Sequence, residues 1–406
     1  MSNIAATSFV IDIPQERLDL LQRKLDLAEL PDELEAAGWD YGVPLSDVKR
    51  LLSHWKTKYD WKKHEAALNT ELPQFKRPIS VDGFGSLGIH YVHKRSKLES
   101  AIPLLFIHGW PGSFVEVQKL LPLLTDAPTE YPNFHVVALS LPGYGFSDAP
   151  TKKGFTIQHY AEVGHKLMLS LGYVEYVAQG GDWGHVIAKD IAYRYGPQHA
   201  KAWHTNLPTP EAYNYPPTPF SSPGIWFSSL FTKYTEAEKA GLQRTMWFRQ
   251  AGRGYFMQQA TQPQTLGYSL ADSPVGLLAW VYEKLVNWTD AYPWTDDEVL
   301  TWISIYWFST AGPAASVRIY YESSQAQPEG VPSIPRGVSF FPKDIYRVPK
   351  AWVWGPDLVF EAEHESGGHF AAHEKPDLLA GDLRKMFGKG GPAFGVVQGR
   401  TGYASS

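Results

Sequence analysis

A chain of 406 residues, 44% hydrophobic and 19% charged, can bury a large core, which argues against disordered and fibrous classes. A net charge of −5 and a pI near 6.3 offer no basic field for nucleic acid, and no stretch approaches the roughly 18 uninterrupted apolar residues of a membrane span. Without cysteine there is no disulfide framework and no thiol nucleophile, and the opening MSNIAATSFVID has no secretory apolar region, so a soluble, cytoplasmic protein is expected.

Residues 1–95 read as an extension of helices and a hairpin leading into a core. Pro14 opens an apolar stripe at Leu18, Leu21 and Leu25, and Ser46 is placed to cap a second at Val48, Leu51, Leu52, Trp55 and Tyr59. Strand-like text follows in RPISVDGFGSLGIHYVHKR, with Asp82-Gly83 as a turn. From 96 to 205 short apolar runs alternate with helical patterns. Ile102–Ile107 and Phe134–Leu139 read as buried strands, 156–171 as a helix, 174–178 as a strand, and a helix starts near His185. That order implies a mostly parallel sheet with helices on both faces, and ligands on such sheets bind at the carboxyl ends of the strands.

An irregular stretch rich in Pro, Ser and aromatics, including PTPEAYNYPPTPFSSPG, occupies 205 to about 230. Helical text then continues, so 206–322 reads as a helical lid over the carboxyl edge of the sheet. The core resumes over 323–388, with strands at 337–341 and 358–361 and a helix at 376–387. The remaining 389–406, KGGPAFGVVQGRTGYASS, reads as a mobile glycine-rich tail. The 15 Trp, 22 Tyr and 20 Phe are read chiefly as core filling.

The chemistry starts at QGGDWGH, 179–185. Gly180-Gly181-Asp182-Trp183-Gly184 has the G-x-nucleophile-x-G spacing of a strand-to-helix turn that lifts one side chain above a sheet, but the lifted residue is aspartate. A carboxylate with a reference pKa near 3.9 is ionised at pH 7 without help from a base. It attacks carbonyls poorly, because a mixed anhydride is no easier to break than the starting ester. Attack on a saturated carbon bearing a leaving group instead gives an alkyl-enzyme ester that water can hydrolyse. That second step needs a base, a group that orients it, and an oxyanion hole.

His369, in SGGHFAAHE after the strand at 358–361, has the required late position for the base. His364 and His373 are its local rivals. Their H-x4-H-x3-H spacing also raises a metal site, which the intervening glycines and the missing soft ligands argue against. The candidate orienting acids are Asp344, Asp357, Glu361, Glu363 and Glu365. Asp344 follows a strand and so falls at the carboxyl edge, whereas Asp357 precedes one. For the oxyanion hole, the N–H of Trp183 follows the nucleophile, and HGWPGS after Ile102–Ile107 offers that of Trp110.

Together HGWPGSFVE, LPGYGFSDAP, QGGDWGH and SGGHFAAHEKPDLLAGDLRK resemble the α/β-hydrolase-fold epoxide hydrolases, in particular the microsomal-type branch with its soluble fungal and bacterial relatives. The segment running from FVIDIPQERLDLL through to LNTELPQF is similar to the amino-terminal extension of that branch, and the resemblance spans roughly residues 8 to 388. It implies the α/β-hydrolase fold with Asp182 as nucleophile, His369 as base and Asp344, within FPKD, as charge-relay acid. It also implies two lid tyrosines that hydrogen-bond the epoxide oxygen, at Tyr255 in GRGYFMQQ and Tyr320 in SVRIYYESS. Tyr321 leaves that last register open by one. The reaction implied is hydrolysis of an epoxide to a vicinal diol, with a small apolar epoxide and water as reactants and no cofactor or metal. Membrane-bound members carry an anchor ahead of the extension, where this chain begins, so solubility is expected; such relatives are often dimers. Two other readings compete. A haloalkane dehalogenase would use indole N–H groups such as that of Trp183 to bind halide, and a hydrolase-fold binding protein would have lost turnover. An acyl ester hydrolase is disfavoured by Asp182.

Overall fold

Nine strands form one mixed sheet in the order β1-β2-β3-β5-β4-β6-β7-β8-β9 in the computed structural model, which describes residues 7–209, 218–220, 223–325 and 330–404. They are β1 (Thr7–Ser8), β2 (Gln74–Val81), β3 (Gly85–Lys94), β4 (Ile102–Ile107), β5 (Phe134–Leu139), β6 (Tyr176–Gly180), β7 (Ala200–Thr205), β8 (Arg336–Phe340) and β9 (Leu358–Glu363). Strands β4 to β9 pair in parallel, while β1, β2 and β3 are antiparallel additions that reach the parallel set through β3 and β5. The central strands β4, β5 and β6 are buried along their whole length, and this is why they read as mostly apolar runs, interrupted at His135 and Gln179, rather than alternating ones. Helices Ile157–Ser170 and Trp183–Tyr195 supply the crossovers beside β6, so the fold is an α/β-hydrolase fold. No helix among the described residues is long and apolar enough to cross a membrane.

The extension contains helices Gln15–Asp26, Leu45–Thr57 and Trp61–Glu71, which bury Leu21, Leu25, Leu51, Trp55, Trp61 and Leu68. Ser46 is not the cap of the second of these. Pro44 holds that position with φ −59°, and the first N–H, on Leu45, is satisfied by Glu33 Oε1 at 2.7 Å. Polar contacts bind the extension to the helices inserted between β7 and β8: Lys24 to Asp272 at 2.6 Å, Arg50 to Asp296, His54 to Asp297 at 2.7 Å, and Tyr59 to Thr301 at 3.1 Å. Of the irregular stretch expected at 205–230, residues 210–217 and 221–222 lie outside the described residues.

The glycine-rich tail is packed, contrary to the expectation of mobility, over residues 389–404; the last two residues lie outside the described set. Ala393, Val397 and Tyr403 are buried. The Gly402 N–H donates to Ser100 O, Asn133 N–H donates to Gly402 O, both at 2.8 Å, and Arg400 donates to Glu99 O at 2.7 Å. Glycine content signals conformational freedom in isolation; here four well-spaced apolar and cationic side chains give the segment a surface to dock on.

Candidate active site

Strand β6 ends at Gly180, and the helix Trp183–Tyr195 begins within three residues, so Asp182 stands at the turn with φ 49° and ψ −129°. A positive φ is costly for any residue with a Cβ, and such strain persists only where the surroundings dictate it. The same turn aims the Asp182 carboxylate over the ends of β4 and β6. One oxygen, Oδ1, accepts the Trp110 N–H at 2.7 Å, and the other, Oδ2, is 3.3 Å from His369 Nε2. Gly109, beside Trp110, permits this approach: a Cβ on it would lie 2.6 Å from Asp182 Cγ. Trp183 occupies the first helical position, where a backbone N–H has no intrahelical partner.

His369 lies in the loop after β9, and its Nδ1 is 2.6 Å from Asp344 Oδ1. Asp344 follows β8, is buried, and also accepts the Ile345 N–H at 2.6 Å. Burial opposes a charge on His369, but the Asp344 carboxylate and the hydrogen bonds to Asp182 and Asp344 outweigh it and lift the imidazole to about 10. The resting imidazole is therefore a cation held between two carboxylates.

The other candidate acids and histidines go elsewhere. Asp357 forms a buried pair with Arg336 at 3.0 Å, Glu363 pairs with Arg347 and Lys350, and Glu361 and Glu365 are exposed. His364 Nε2 meets Asp382 at 2.6 Å, while His373 stacks on Trp294 with ring centroids 5.1 Å apart. The three histidines thus diverge, and no group of metal-ligating side chains occurs among the described residues.

Tyr255 and Tyr320 come from separate inserted helices, Gly254–Thr261 and Arg318–Ser324, and meet over Asp182 with ring centroids 5.8 Å apart. Trp110 stacks on Tyr255 at 5.2 Å and stands edge-on to Tyr320 at 5.8 Å, and Trp183 also meets Tyr320 edge-on at 4.9 Å. A π-helical turn, Phe248–Gly252, directly precedes the Tyr255 helix, a local widening of the helix frequent at functional sites. Tyr320 is 1% exposed, whereas Tyr321 is 41% exposed and points away, so the inward phenol of the pair is Tyr320. The Tyr320 hydroxyl is buried without a well-formed hydrogen bond inside the protein. Burial raises both phenols well above their ordinary range; the neighbouring Asp182 charge adds to this at Tyr255, and Tyr255 and Asp182 add to it at Tyr320. Both are thus protonated donors at neutral pH.

Sequence reasoning missed the residues that hold the His369 loop. The His369 N–H donates to Trp288 O at 2.8 Å, Gly367 N–H to Asp290 Oδ2 at 2.9 Å, and Gly368 N–H to Glu374 Oε1 at 2.9 Å. Glu374 also accepts the Asp290 N–H at 3.0 Å. Burial raises its carboxyl to about 7 against the pull of those two amides. Glu374 stands five residues after His369, between His373 and Lys375, where nothing local in the sequence distinguishes it from a surface acid. Glu116 was missed as well. It is buried, and with Asp182, Asn206 and His369 it lines a small enclosed cavity whose lining includes neither Tyr255 nor Tyr320.

Comparison with known proteins places this arrangement in a family. The family described as epoxide hydrolase N terminus matches residues 6–117, and the alpha/beta hydrolase fold family matches 102–239. Epoxide hydrolase 1 of Sus scrofa is 36% identical over 413 residues, covering 94% of this chain and 88% of its own. The solved structure of Aspergillus niger epoxide hydrolase superposes with a TM-score of 0.81 at 36% identity, over 94% of this chain and 95% of that one. Juvenile hormone epoxide hydrolase from the silkworm Bombyx mori superposes with a TM-score of 0.82 at 29% identity, over 93% of each chain.

Proposed function

Because the chain belongs to the epoxide hydrolases of the α/β-hydrolase fold, we propose that it converts an epoxide to a vicinal diol in two half-reactions joined by an ester on Asp182. In the first, an Asp182 carboxylate oxygen attacks a ring carbon in line with the breaking C–O bond. Tyr255 and Tyr320 hydrogen-bond the ring oxygen, and one of them protonates it as the ring opens. A phenol suits this task because an alkoxide is otherwise a very poor leaving group. His369 then gives its extra proton, by way of solvent, to the phenolate. Esterification removes the Asp182 charge that helped to hold that proton, so the imidazole becomes neutral when a base is needed.

In the second half-reaction neutral His369, oriented by Asp344, takes a proton from water as the water oxygen adds to Asp182 Cγ. The tetrahedral oxyanion forms where the Trp110 N–H already donates to the carboxylate, with the Trp183 N–H as the second donor. Collapse breaks the bond from Cγ to the alkyl oxygen, and that oxygen takes the His369 proton. The acid proton left on Asp182 then returns to His369, which restores the resting pair. The rings of Trp110, Trp288, Phe248 and Phe256 around the tyrosines favour an apolar epoxide.

The observation that carries this reading is that one carboxylate, Asp182, sits between a backbone donor, a charged imidazole and two inward phenols. Peptide mass spectrometry of His369→Gln mixed with a panel of epoxides and haloalkanes tests it. An adduct of the whole epoxide mass on the Asp182 peptide is expected. An adduct from haloalkanes alone, lacking the halogen, would replace the reading by dehalogenation.

A further inference from the structure

The cavity behind Asp182 provides space of about 10 Å³ for a water-sized molecule, close to what a single water requires. Some of the polar groups lining it are already partly engaged within the protein. Asn206 Oδ1 accepts from Gln179 Nε2 at 2.8 Å, and its Nδ2 donates to His369 O at 3.4 Å. Trp110 spends its N–H on Asp182 Oδ1. The other polar side chains lining the space are those of Asp182, His369 and Glu116.

Glu116 is held in place by its surroundings. It belongs to the short helical turn Phe114–Val117 after HGWPG, and its carboxyl folds back over Gly112, where a Cβ would overlap Oε1 and lie 2.9 Å from Cδ. The inserted helix Asp296–Trp307 pins that loop from outside. Trp302 Nε1 donates to Pro111 O at 2.5 Å, and Tyr306 Oη donates to Gly112 O at 2.6 Å. Burial raises the Glu116 carboxyl to about 8, so at neutral pH it is an uncharged acid beside the Asp182 carboxylate and the His369 imidazolium. An uncharged carboxyl offers a carbonyl oxygen to a water O–H without adding a second anion to the site. Nothing in the attack on the epoxide uses this group, and neither phenol lines the cavity it faces.

We infer that Glu116 holds the hydrolytic water against the Asp182 ester, accepting one of its O–H groups while His369 Nε2 accepts the other. The inference rests on the covalent route proposed above. In the step concerned the water oxygen forms a bond to Asp182 Cγ, its His369-bound proton moves to Nε2, and its other hydrogen stays on oxygen, bonded to Glu116. Glu116 neither gains nor loses a proton.

Single-turnover kinetics separate the two half-reactions. Styrene oxide mixed with excess Glu116→Ala and Glu116→Gln enzymes is followed by tryptophan fluorescence for ester formation and by diol release for hydrolysis. Ester formation within threefold of wild type is expected in both, with hydrolysis slowed at least 30-fold in Glu116→Ala and less than tenfold in Glu116→Gln, whose amide oxygen can still accept. The ester then accumulates on the Asp182 peptide of Glu116→Ala. Hydrolysis by Glu116→Ala at the wild-type rate, or an equal slowing of both half-reactions, would overturn the assignment. His369→Gln run in parallel keeps the outcomes distinct. If it shows no adduct, the covalent route itself has failed; if it traps the ester while Glu116→Ala turns over normally, only the role of Glu116 has.

Discussion

Replacing Gly109 by alanine is the most direct test of how closely the nucleophile is held. The new Cβ would lie 2.4 Å from Asp182 Cβ and 2.6 Å from its Cγ, whereas carbon atoms rest at about 3.5 Å or beyond. Asp182 must therefore retreat by about 1.1 Å or the HGWPG loop must move by as much. Retreat is resisted, because Asp182 sits at a strained turn and its oxygens are held by Trp110 N–H and His369. A displacement of about 1 Å costs on the order of 10²-fold in a reaction that depends on in-line geometry. That corresponds to about 2.7 kcal/mol at 1.36 kcal/mol per decade. Overpacking should also lower the unfolding free energy by about 1–3 kcal/mol. Stopped-flow fluorescence from the adjacent Trp110 and Trp183 gives the rate of ester formation, and urea unfolding gives the stability. A folded Gly109→Ala enzyme that forms the ester within threefold of the wild-type rate would refute the reasoning, since the contact would then be relieved without moving the nucleophile.

Asp344→Asn should leave the fold intact and slow hydrolysis of the ester by about 10³- to 10⁴-fold, in line with the loss of the orienting carboxylate in a serine triad. Asp357→Asn should do the reverse: turnover retained at 25 °C, but about 3–5 kcal/mol less stability from stranding the buried Arg336. Tyr255→Phe and Tyr320→Phe should each slow ester formation about 10²- to 10³-fold, the usual cost of losing one aimed donor, while ester already formed hydrolyses at the wild-type rate. Stability should fall on both sides of neutrality. His90 and His185 are held near 3, and His108 and His204 near 4, by burial; the unfolded chain takes up protons that the folded one refuses, so urea midpoints drop as pH falls below about 6.5. For His369, raised to about 10, the contribution is complete below about 6.5 and is lost as pH climbs toward 10, a decline that should shrink in His369→Gln.

Residues whose placement follows from their position along a strand were legible in the sequence. Asp182 after β6, Asp344 after β8 and Trp110 after β4 all fall at the carboxyl edge once the parallel sheet is assumed, and the edge argument separated Asp344 from Asp357 without coordinates. The order of the sheet was not legible, because β5 separates β3 from β4 and nothing local in 85–107 specifies that crossing. Nor were Trp288, Asp290 and Glu374, whose roles depend on the inserted helices meeting the His369 loop about 80 residues away in sequence. Glu116 carried a signal that went unread: one acid inside FVEVQKLLPLL, a run whose other residues facing inward are apolar. The tail failed for the opposite reason, since composition was allowed to outweigh the spacing of Ala393, Val397 and Tyr403.

The extension has a consequence for how the chain is made. Its helices find partners very far along the sequence: Lys24 with Asp272, Arg50 with Asp296 and Arg17 with Trp307 are separated by 248, 246 and 290 residues. Synthesis runs from the amino terminus at about 5–20 residues per second, so the first helices to leave the ribosome wait on the order of 10–60 seconds for the segment that covers them. Through that interval the helices carrying Leu21, Leu51 and Trp55 have one another but lack the inserted helices they also pack against. The segment that ties down the finished lid is thus the one most in need of protection while the protein is still nascent, and chaperone demand during expression should track these first 70 residues rather than the catalytic core.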